Sequence, residues 1–508
     1  MILIEAQAAV DAAGTVETLY LSTAHFITRP TDTPANVAFQ AALTDPGKIG
    51  LSAYGDGRTS GGTRLQAGEI TVTNVDGRFD RWLNYSFGGR PVTIREGDAG
   101  GAYPADFPIL FRGTAEGVTG DLSQLVIRLR DKQYLFDKAV LTNRYAGSNV
   151  LPDGLEGVSS DLKDQLKGRV FGAPPNIAPP CVNTSKLTFQ VNDGPVADIA
   201  AVYDKGDALT KGADYATGAA LNAATGLTPG YFYTCLAEGY FRLGGAAAGQ
   251  ITADPVEGET AAERTTAQVL KHLALASGLS SEEVSAADVE ALDLAAPGVV
   301  GLRIEGETTF QEAMDQVAAS AGAYYAFDDD GVLRMGQLQE PAGEPVVTLG
   351  RDAIRGLERR LARDNGQPLW KVTVRYGRIW TVQDTDVAGE VSADRRAYLA
   401  QEYRSAVAED ETVKDQFLLA DEATIDTLLA DEAAAQAEAD RLLALQRGRR
   451  EIYDVTVEPK VRSRYGVQLM KEVRLKLDRF GLSAGKDFRV IGIRAELGRR
   501  RVILTVWG

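Results

Sequence analysis

Alternating apolar and polar positions dominate the first quarter of the chain. In EITVTNVDG, Glu69 to Gly77, Ile70, Val72 and then Val75 recur, and an Asp-Gly turn follows. RPVTIREG, Arg90 to Gly97, repeats the alternation. Phe107 to Arg112 and Leu125 to Arg130 read as two more strands, with Gly117-Val-Thr-Gly-Asp121 as a loop between them. In the last of these, Leu125, Ile127 and Leu129 share one face, and Arg128 and Arg130 the other.

The pattern then changes. SSDLKDQLKGRVFGAPPNIAPP ends in a proline-rich connection that continues neither a helix nor a central strand. KLTFQV, GYFYTCL and GYFRLGG are short aromatic runs between Lys186 and Asp254, and predict an inserted β module. TADPVEGET, Thr252 to Thr260, reads as a linker. Residues 261–320 carry the helical period. AAERTTAQVLKHLALASG groups Val269, Leu270, Leu273 and Leu275, and Gly278 stops it. TTFQEAMDQVAASAG sets Phe310, Ala313, Met314 and Val317 in one stripe. Either Thr308 with Gln311 or Thr309 with Glu312 fits a capping box there. AYYAFDDDGVLRMGQL predicts a hairpin turning at Asp330-Gly331.

The last block opens with WKVTVRYGRIWTVQ, a strand pair by composition. Ala430 to Arg447 is the clearest long helix, anchored by Leu442, Leu443 and Leu445 and stopped at Gly448. EIYDVTVEP, EVRLKLDRF and the hairpin GKDFRVIGIRAELGRRRVILTVWG follow as strands. In the hairpin's first arm the alternation slips between Val490 and Ile491, which predicts a bulge near Gly492. In its second arm Val502, Leu504 and Val506 face one side, and Ile503 and Trp507 the other, so this strand should be covered on both faces.

Composition is that of a globular protein: 508 residues, 44% apolar and 24% charged, long enough for three or four domains. The net charge of −16 disfavours tight binding to nucleic acid or anionic lipid. The start, MILIEAQAAVDAAG, reads as no signal peptide, and no apolar run reaches membrane-spanning length. Cys181 and Cys235 could form one disulfide, but two unpaired thiols is the simpler expectation.

Candidate chemistry is sparse. His25 and His272 are the two histidines, and each reads as structural. Neither a zinc helix, a nucleophile elbow nor a paired-cysteine spacing occurs. Gly55-Asp-Gly-Arg-Thr-Ser-Gly-Gly lacks the lysine of a phosphate loop and reads as a plain loop. Asn74, Asp76 and Asp80 could offer oxygens to calcium, but a turn held by Asn and Asp is the expectation. Asp328 to Asp330 could also hold a cation, and is expected to be a solvated hairpin tip. Arg447, Arg449, Arg450 and Arg499 to Arg501 form two basic knots, for which acidic protein neighbours are expected. No catalytic, cofactor-binding or metal-binding residue is therefore assigned.

An internal echo organises these pieces. Phe111-Arg112 and Phe488-Arg489 each open a strand. Leu125-Val-Ile-Arg-Leu and Val502-Ile-Leu-Thr-Val form the return strands. Val92-Thr-Ile-Arg and Val473-Arg-Leu-Lys precede them. Two copies of one β domain in a chain would let a trimer present six similar faces around one axis.

With these segments in order, the chain resembles the central tail hub (baseplate hub, or tail tip) proteins of long-tailed bacteriophages. GEITVTNVDGRFD, GRPVTIREG and the ILFRGTAEG…VIRLRD pair look like that family's first tube-like domain. TTFQEAMDQVAASAGAYYAFDDDGVLRMGQL looks like its inserted helix and hairpin. AAAQAEADRLLALQRGRREIYDVTV and GLSAGKDFRVIGIRAELGRRRVILTVWG look like the second tube-like domain. The resemblance implies a mainly β protein with inserted helices (α+β). It would have two tube-like β-barrel or sandwich domains at 1–145 and 350–508, a β module at 146–258 and a helix and hairpin insert at 259–349.

It also implies a homotrimer at the tip of the tail tube, assembled in the bacterial cytoplasm. No lytic domain is visible, so no enzyme is expected. Some members of that family use iron–sulfur clusters, but two cysteines per chain argue against one here, so no cofactor is expected. Implied partners are a distal tail or tube protein, a central fibre or spike, a tape-measure protein, and DNA in transit, with no membrane insertion. The alternatives are a carbohydrate-active hydrolase using two carboxylates, and a host-surface binding module.

Overall fold

The structure is a computed structural model that describes residues 1–54, 64–130, 132–149, 154–360 and 368–508; the Gly55-to-Gly62 loop expectation falls outside these residues. Two large sheets dominate. The first contains β1 (Ile2–Ala9), β2 (Val16–Ser22), β3 (Phe26–Ile27), β4 (Ala38–Ala41), β5 (Leu43–Asp45), β8 (Glu69–Thr73), β9 (Pro91–Glu96), β10 (Ile109–Gly120) and β11 (Gln124–Arg130), in the order β3-β4-β2-β1-β9-β10-β11-β8-β5. Between β5 and β8 lie β6 (Lys48–Ser52) and β7 (Arg64–Ala67). The second sheet takes β12 (Val347–Leu349), β13 (Ile354–Arg360), β14 (Ile452–Val457), β15 (Glu472–Leu475), β16 (Lys486–Glu496) and β17 (Arg501–Trp507), in the order β12-β15-β16-β17-β14-β13.

The two sheets repeat one design. The run β9-β10-β11-β8-β5 has the same order and the same antiparallel pairings as β15-β16-β17-β14-β13. Two irregularities recur as well. β10 shifts register between Ala115 and Gly117 against β11, as β16 does between Val490 and Gly492 against β17. β5 shifts between Leu43 and Asp45 against β8, as β13 does between Ile354 and Gly356 against β14. Matched on these bulges, Val92 aligns with Val473, Leu125 with Val502, Ile70 with Val455 and Leu43 with Ile354; every one of these side chains is buried.

The first-strand part of the echo is out of step by two residues. Phe488 aligns with Gly113, because Thr114 faces Pro91 as Arg489 faces Glu472. A side chain on Gly113 would collide with the ring of Phe111, which leans over the glycine from two residues away, and with the Arg130 carbonyl oxygen. Each sheet thus fills one place in its core with an aromatic ring, supplied from different positions.

Both sheets contribute to one hydrophobic core, which runs from Ile4, Trp82 and Ile127 to Tyr453, Phe488 and Leu504. β6 ties the sheets together by leaving its own sheet and pairing antiparallel with β16, Ile49 opposite Ala495 and Leu51 opposite Ile493. β17 is buried on both faces, as its pattern requires. Leu504 and Val506 enter the shared core, and Trp507 packs with Tyr54, Tyr324 and Leu445 on the other side.

Among the helices are α1 (Thr266–Ser277), α2 (Ala286–Ala295), α3 (Phe310–Ala319), α4 (Glu432–Gln446) and α5 (Pro459–Tyr465); further short helices lie at Gly218–Ala223, Ala393–Leu399 and Thr412–Gln416. α1 stops at Gly278, whose φ of 115° suits glycine. The α3 capping box is Thr309 with Glu312. A second core gathers Leu270, Met314 and Val317 with Val372, Leu429, Ala439 and Leu442.

Several local expectations are corrected. Gly117–Gly120 is not a loop but the continuation of β10 past its bulge, and the turn begins at Asp121. Thr252–Thr260 is not simply a linker, because Ile251–Val256 pairs with Asp198–Asp204. Pro255 is tolerated there since that strand lies at the end of its sheet. WKVTVRYGRIWTVQ is one strand, Leu369–Tyr376, ended by Gly377 at φ 58°. Its sheet partners are Arg404–Glu409 and Asp421–Asp426. Within the span read as helical, Gly301–Ile304 is a strand paired with Arg169–Gly172.

Removing the ring in Phe111→Ala should cost about 3–5 kcal/mol, as for buried aromatics generally. Gly113→Ala, whose added Cβ meets both the Phe111 ring and the Arg130 carbonyl, should also lower the unfolding midpoint. Thermal unfolding of the two variants checks it; an unchanged midpoint in either would contradict the packing of the ring over the glycine.

Candidate functional site: the seam between the duplicated sheets

The charged groups that the sequence scatters over 350 positions converge where the hairpin tip meets α5 and β10. The hairpin arms are Ala323–Phe327 and Leu333–Gln337. Asp328 shapes the turn by accepting hydrogen bonds from the backbone N–H of Asp330 and Val332, each at 3.0 Å. α5 starts with Pro459, which lacks the N–H that a first helical turn cannot use, and ends at Gly466 in the left-handed region. This short helix turns Arg462 inward, to 5% exposure.

Arg462 forms an ion pair with Asp329 and donates from Nη1 to the Leu110 carbonyl at 3.4 Å. Burial pushes the Asp329 carboxyl above its ordinary value, and the Arg462 guanidinium opposes that shift. Arg112 of β10 donates to the Asp330 carbonyl. Lys132 donates to the Gly331 carbonyl at 3.0 Å and to Glu283 at 2.6 Å. Hydrogen bonding from Lys132 holds the Glu283 carboxyl below its ordinary value. The tip is therefore docked, not solvated as expected. Beside it opens a cleft of about 130 Å³, lined by Leu51, Tyr324, Arg334, Met470 and Ile493 among others.

A second charged cluster fixes the β6–β16 join. Glu496, 8% exposed, lies 2.8 Å from Arg501, 3.7 Å from Arg499 and 3.8 Å from Arg494. The Arg501 hydrogen bond first, then the surrounding arginines, hold its carboxyl below the ordinary value despite burial. Arg450 pairs with Glu340, donates to the Leu445 carbonyl at 2.6 Å and lies over the Trp507 ring. Arg447 reaches Asp410 at 3.9 Å. The acidic neighbours expected for the two basic knots are thus supplied, for these residues, by the chain itself.

The other singled-out residues lie apart from the seam. Asn74 donates to Asp80 at 2.7 Å and accepts from the Phe79 N–H at 2.9 Å, while Asp76 accepts from the Arg78 N–H. This is the Asn/Asp-held turn. His25 is exposed just before β3. His272 Nδ1 sits 2.7 Å from Glu257 and its ring packs edge-on against Phe171. Cys181 and Cys235 are both free thiols, Cys235 buried and Cys181 half-buried, with burial pushing the Cys181 thiol up to about 11. Among the described residues, no group of three or more His, Cys, Asp or Glu is placed to hold a metal ion, and no helix is long and apolar enough to cross a membrane. Arg462, Lys132 and Glu496 escaped the sequence reading. Nothing in VRSRYG marks one arginine as buried, and pairing across such distances leaves no local signal.

The seam is a packing and docking arrangement in a mainly β protein built on a duplicated sheet. Among solved structures, the chain is similar to tail proteins of phages and prophages. A tail protein from Neisseria meningitidis shares 13% identity at a TM-score of 0.42, over 93% of this chain and 93% of that one. A 43 kDa prophage tail protein from Shewanella oneidensis shares 11% at 0.38, over 99% and 95%. A prophage tail protein from Listeria monocytogenes shares 8% at 0.38, over 100% and 94%. No family model and no curated protein matches the sequence.

Arg462→Ala leaves Asp329 without its charge partner and should destabilise the protein by about 3–5 kcal/mol, read as a lower unfolding midpoint. For Glu496, a depressed folded-state pKa means that its stabilisation is present above the ordinary value of 4.5 and is lost as pH falls below it. Glu496→Gln should therefore flatten the fall of Tm between about pH 5 and 3. An unchanged slope would show that the cluster is not linked to folding.

Proposed function

We propose that this chain is a structural virion protein of a phage tail: a trimeric hub at the tip of the tail tube, joining the sixfold tube to threefold tip proteins and enclosing a conduit for DNA. The observation that carries the reading is the repeat of a five-stranded antiparallel run, with both bulges kept, in two sheets that share one core. A chain with two similar units, assembled three times, offers six similar positions around an axis while its inserts obey only threefold symmetry.

In this reading the hub units are 1–145 and 350–508, and the segments 146–258 and 259–349 form the threefold periphery. The distal tail or tube protein sits on the sixfold face, a central fibre or spike on the other, and the tape-measure protein in the lumen. Three chains of −16 each give an acidic assembly that repels DNA in transit. The seam serves as a rigid joint, and the reading assigns it no turnover. The protein is placed in the virion, after assembly in the host cytoplasm.

Size-exclusion chromatography with light scattering should give the mass of three chains, and incubation with peptidoglycan or other glycans should give no cleavage. A monomer at all concentrations, or glycan turnover, would overturn the reading in favour of a carbohydrate-active enzyme; glycan binding by an isolated monomer would favour a host-surface module.

A further inference from the structure

The duplicated sheets differ at one edge. In the second sheet, the far half of β16 is flanked by β17 on one side and by β6 on the other, with Lys48 opposite Glu496, Ile49 opposite Ala495 and Leu51 opposite Ile493. Ile493, Ala495 and Glu496 are buried as a result. The matching stretch of the first sheet is Gly117 to Asp121. β11 pairs with it on one side. On the other side β9 ends at Pro91, opposite Thr114, Gly88 bridges to Ala115, and among the described residues no strand continues the ladder beyond it. Thr119, Gly120 and Asp121 are exposed, and Leu122 beside them is 97% exposed. An open strand edge next to a bare leucine is a template for another strand.

The same alignment names the strand that should fill it. Leu43 and Asp45 match Ile354 and Gly356, so Lys48 and Ile49 at the start of β6 match Arg359 and Arg360 at the end of β13. β13 is the last strand of its sheet. Glu358, Arg359 and Arg360 are exposed. Arg359 and Arg360 make ion pairs at the sheet surface, with Glu451 at 3.1 Å and Asp454 at 3.6 Å. Within one chain, the first unit extends its β6 onto the second. The same step taken from the second unit must reach the first unit of another chain.

We propose that the open edge at Gly120–Leu122 receives the Glu358–Arg360 end of β13 from a second copy of this chain, as β16 receives β6 within the chain. The inference rests on the trimeric ring reading and names its subunit contact. In matched register Arg359 lies opposite Asp121, a basic residue facing an acidic one, as Lys48 faces Glu496. Three such contacts close the ring, so each chain uses one open edge and one strand end.

Directly opposed residues of an antiparallel ladder lie within the Cα separation that a disulfide spans. The test joins Asp121→Cys and Arg359→Cys in a full-length background carrying Cys181→Ser and Cys235→Ala. Mild oxidation of the double variant should give covalent species of two and three chains on non-reducing gels; either cysteine alone should give none. Arg359→Glu should shift the trimer–monomer midpoint to higher concentration, and adding Asp121→Arg should shift it back. A trimer by light scattering that neither cross-links nor responds to the charge reversal would overturn this contact and leave the ring standing. Monomers at every concentration, for the unaltered chain as well, would overturn the ring and this contact together.

Discussion

The structure depends on one strand that leaves its own sheet. β6 belongs by sequence to the first unit, yet it completes the second, where its Ile49 and Leu51 cover a part of β16 that β15 does not reach. Backbone hydrogen bonds in a ladder have strict direction and spacing, so this pairing fixes the angle between the two sheets more firmly than apolar contact alone could. The shared core then fills the angle. The Glu496 cluster locks the end of the join, because a buried carboxylate with three arginines around it tolerates few other arrangements.

The remaining modules hang from that rigid pair without changing it. The hairpin tip docks through Asp329 and Lys132. α4 bridges two cores, with Leu442 facing the helical insert and Leu445 facing Trp507. Between Val170 and Ala253 the chain gathers a further core, built on Phe189, Phe232 and Phe241, against which Trp380 packs.

Strands with strong period-two patterns were legible from the sequence, and so was the echo. Val92 with Val473, and Leu125 with Val502, were paired in the register the structure shows. Phe111 with Phe488 was not, because a ring can be contributed from a neighbouring position when a glycine leaves room. The bulge at Gly492 was visible as a slip in alternation; its counterpart at Gly117 was not, since the glycine-rich stretch looked like a turn. Strand breaks and continuations of this sort are decided by what lies beside the strand. The seam was illegible for a related reason. Asp329 looked like a solvated tip, and only the fold brings Arg462 to it.

The account turns on whether two similar units per chain are used as two of six positions in a ring. Imaging the purified full-length protein by electron microscopy tests that most directly. The account predicts threefold particles with six alternating lobes around a central opening. A solitary compact particle without an axial hole, or a closed assembly in which the two units do not alternate, would contradict it.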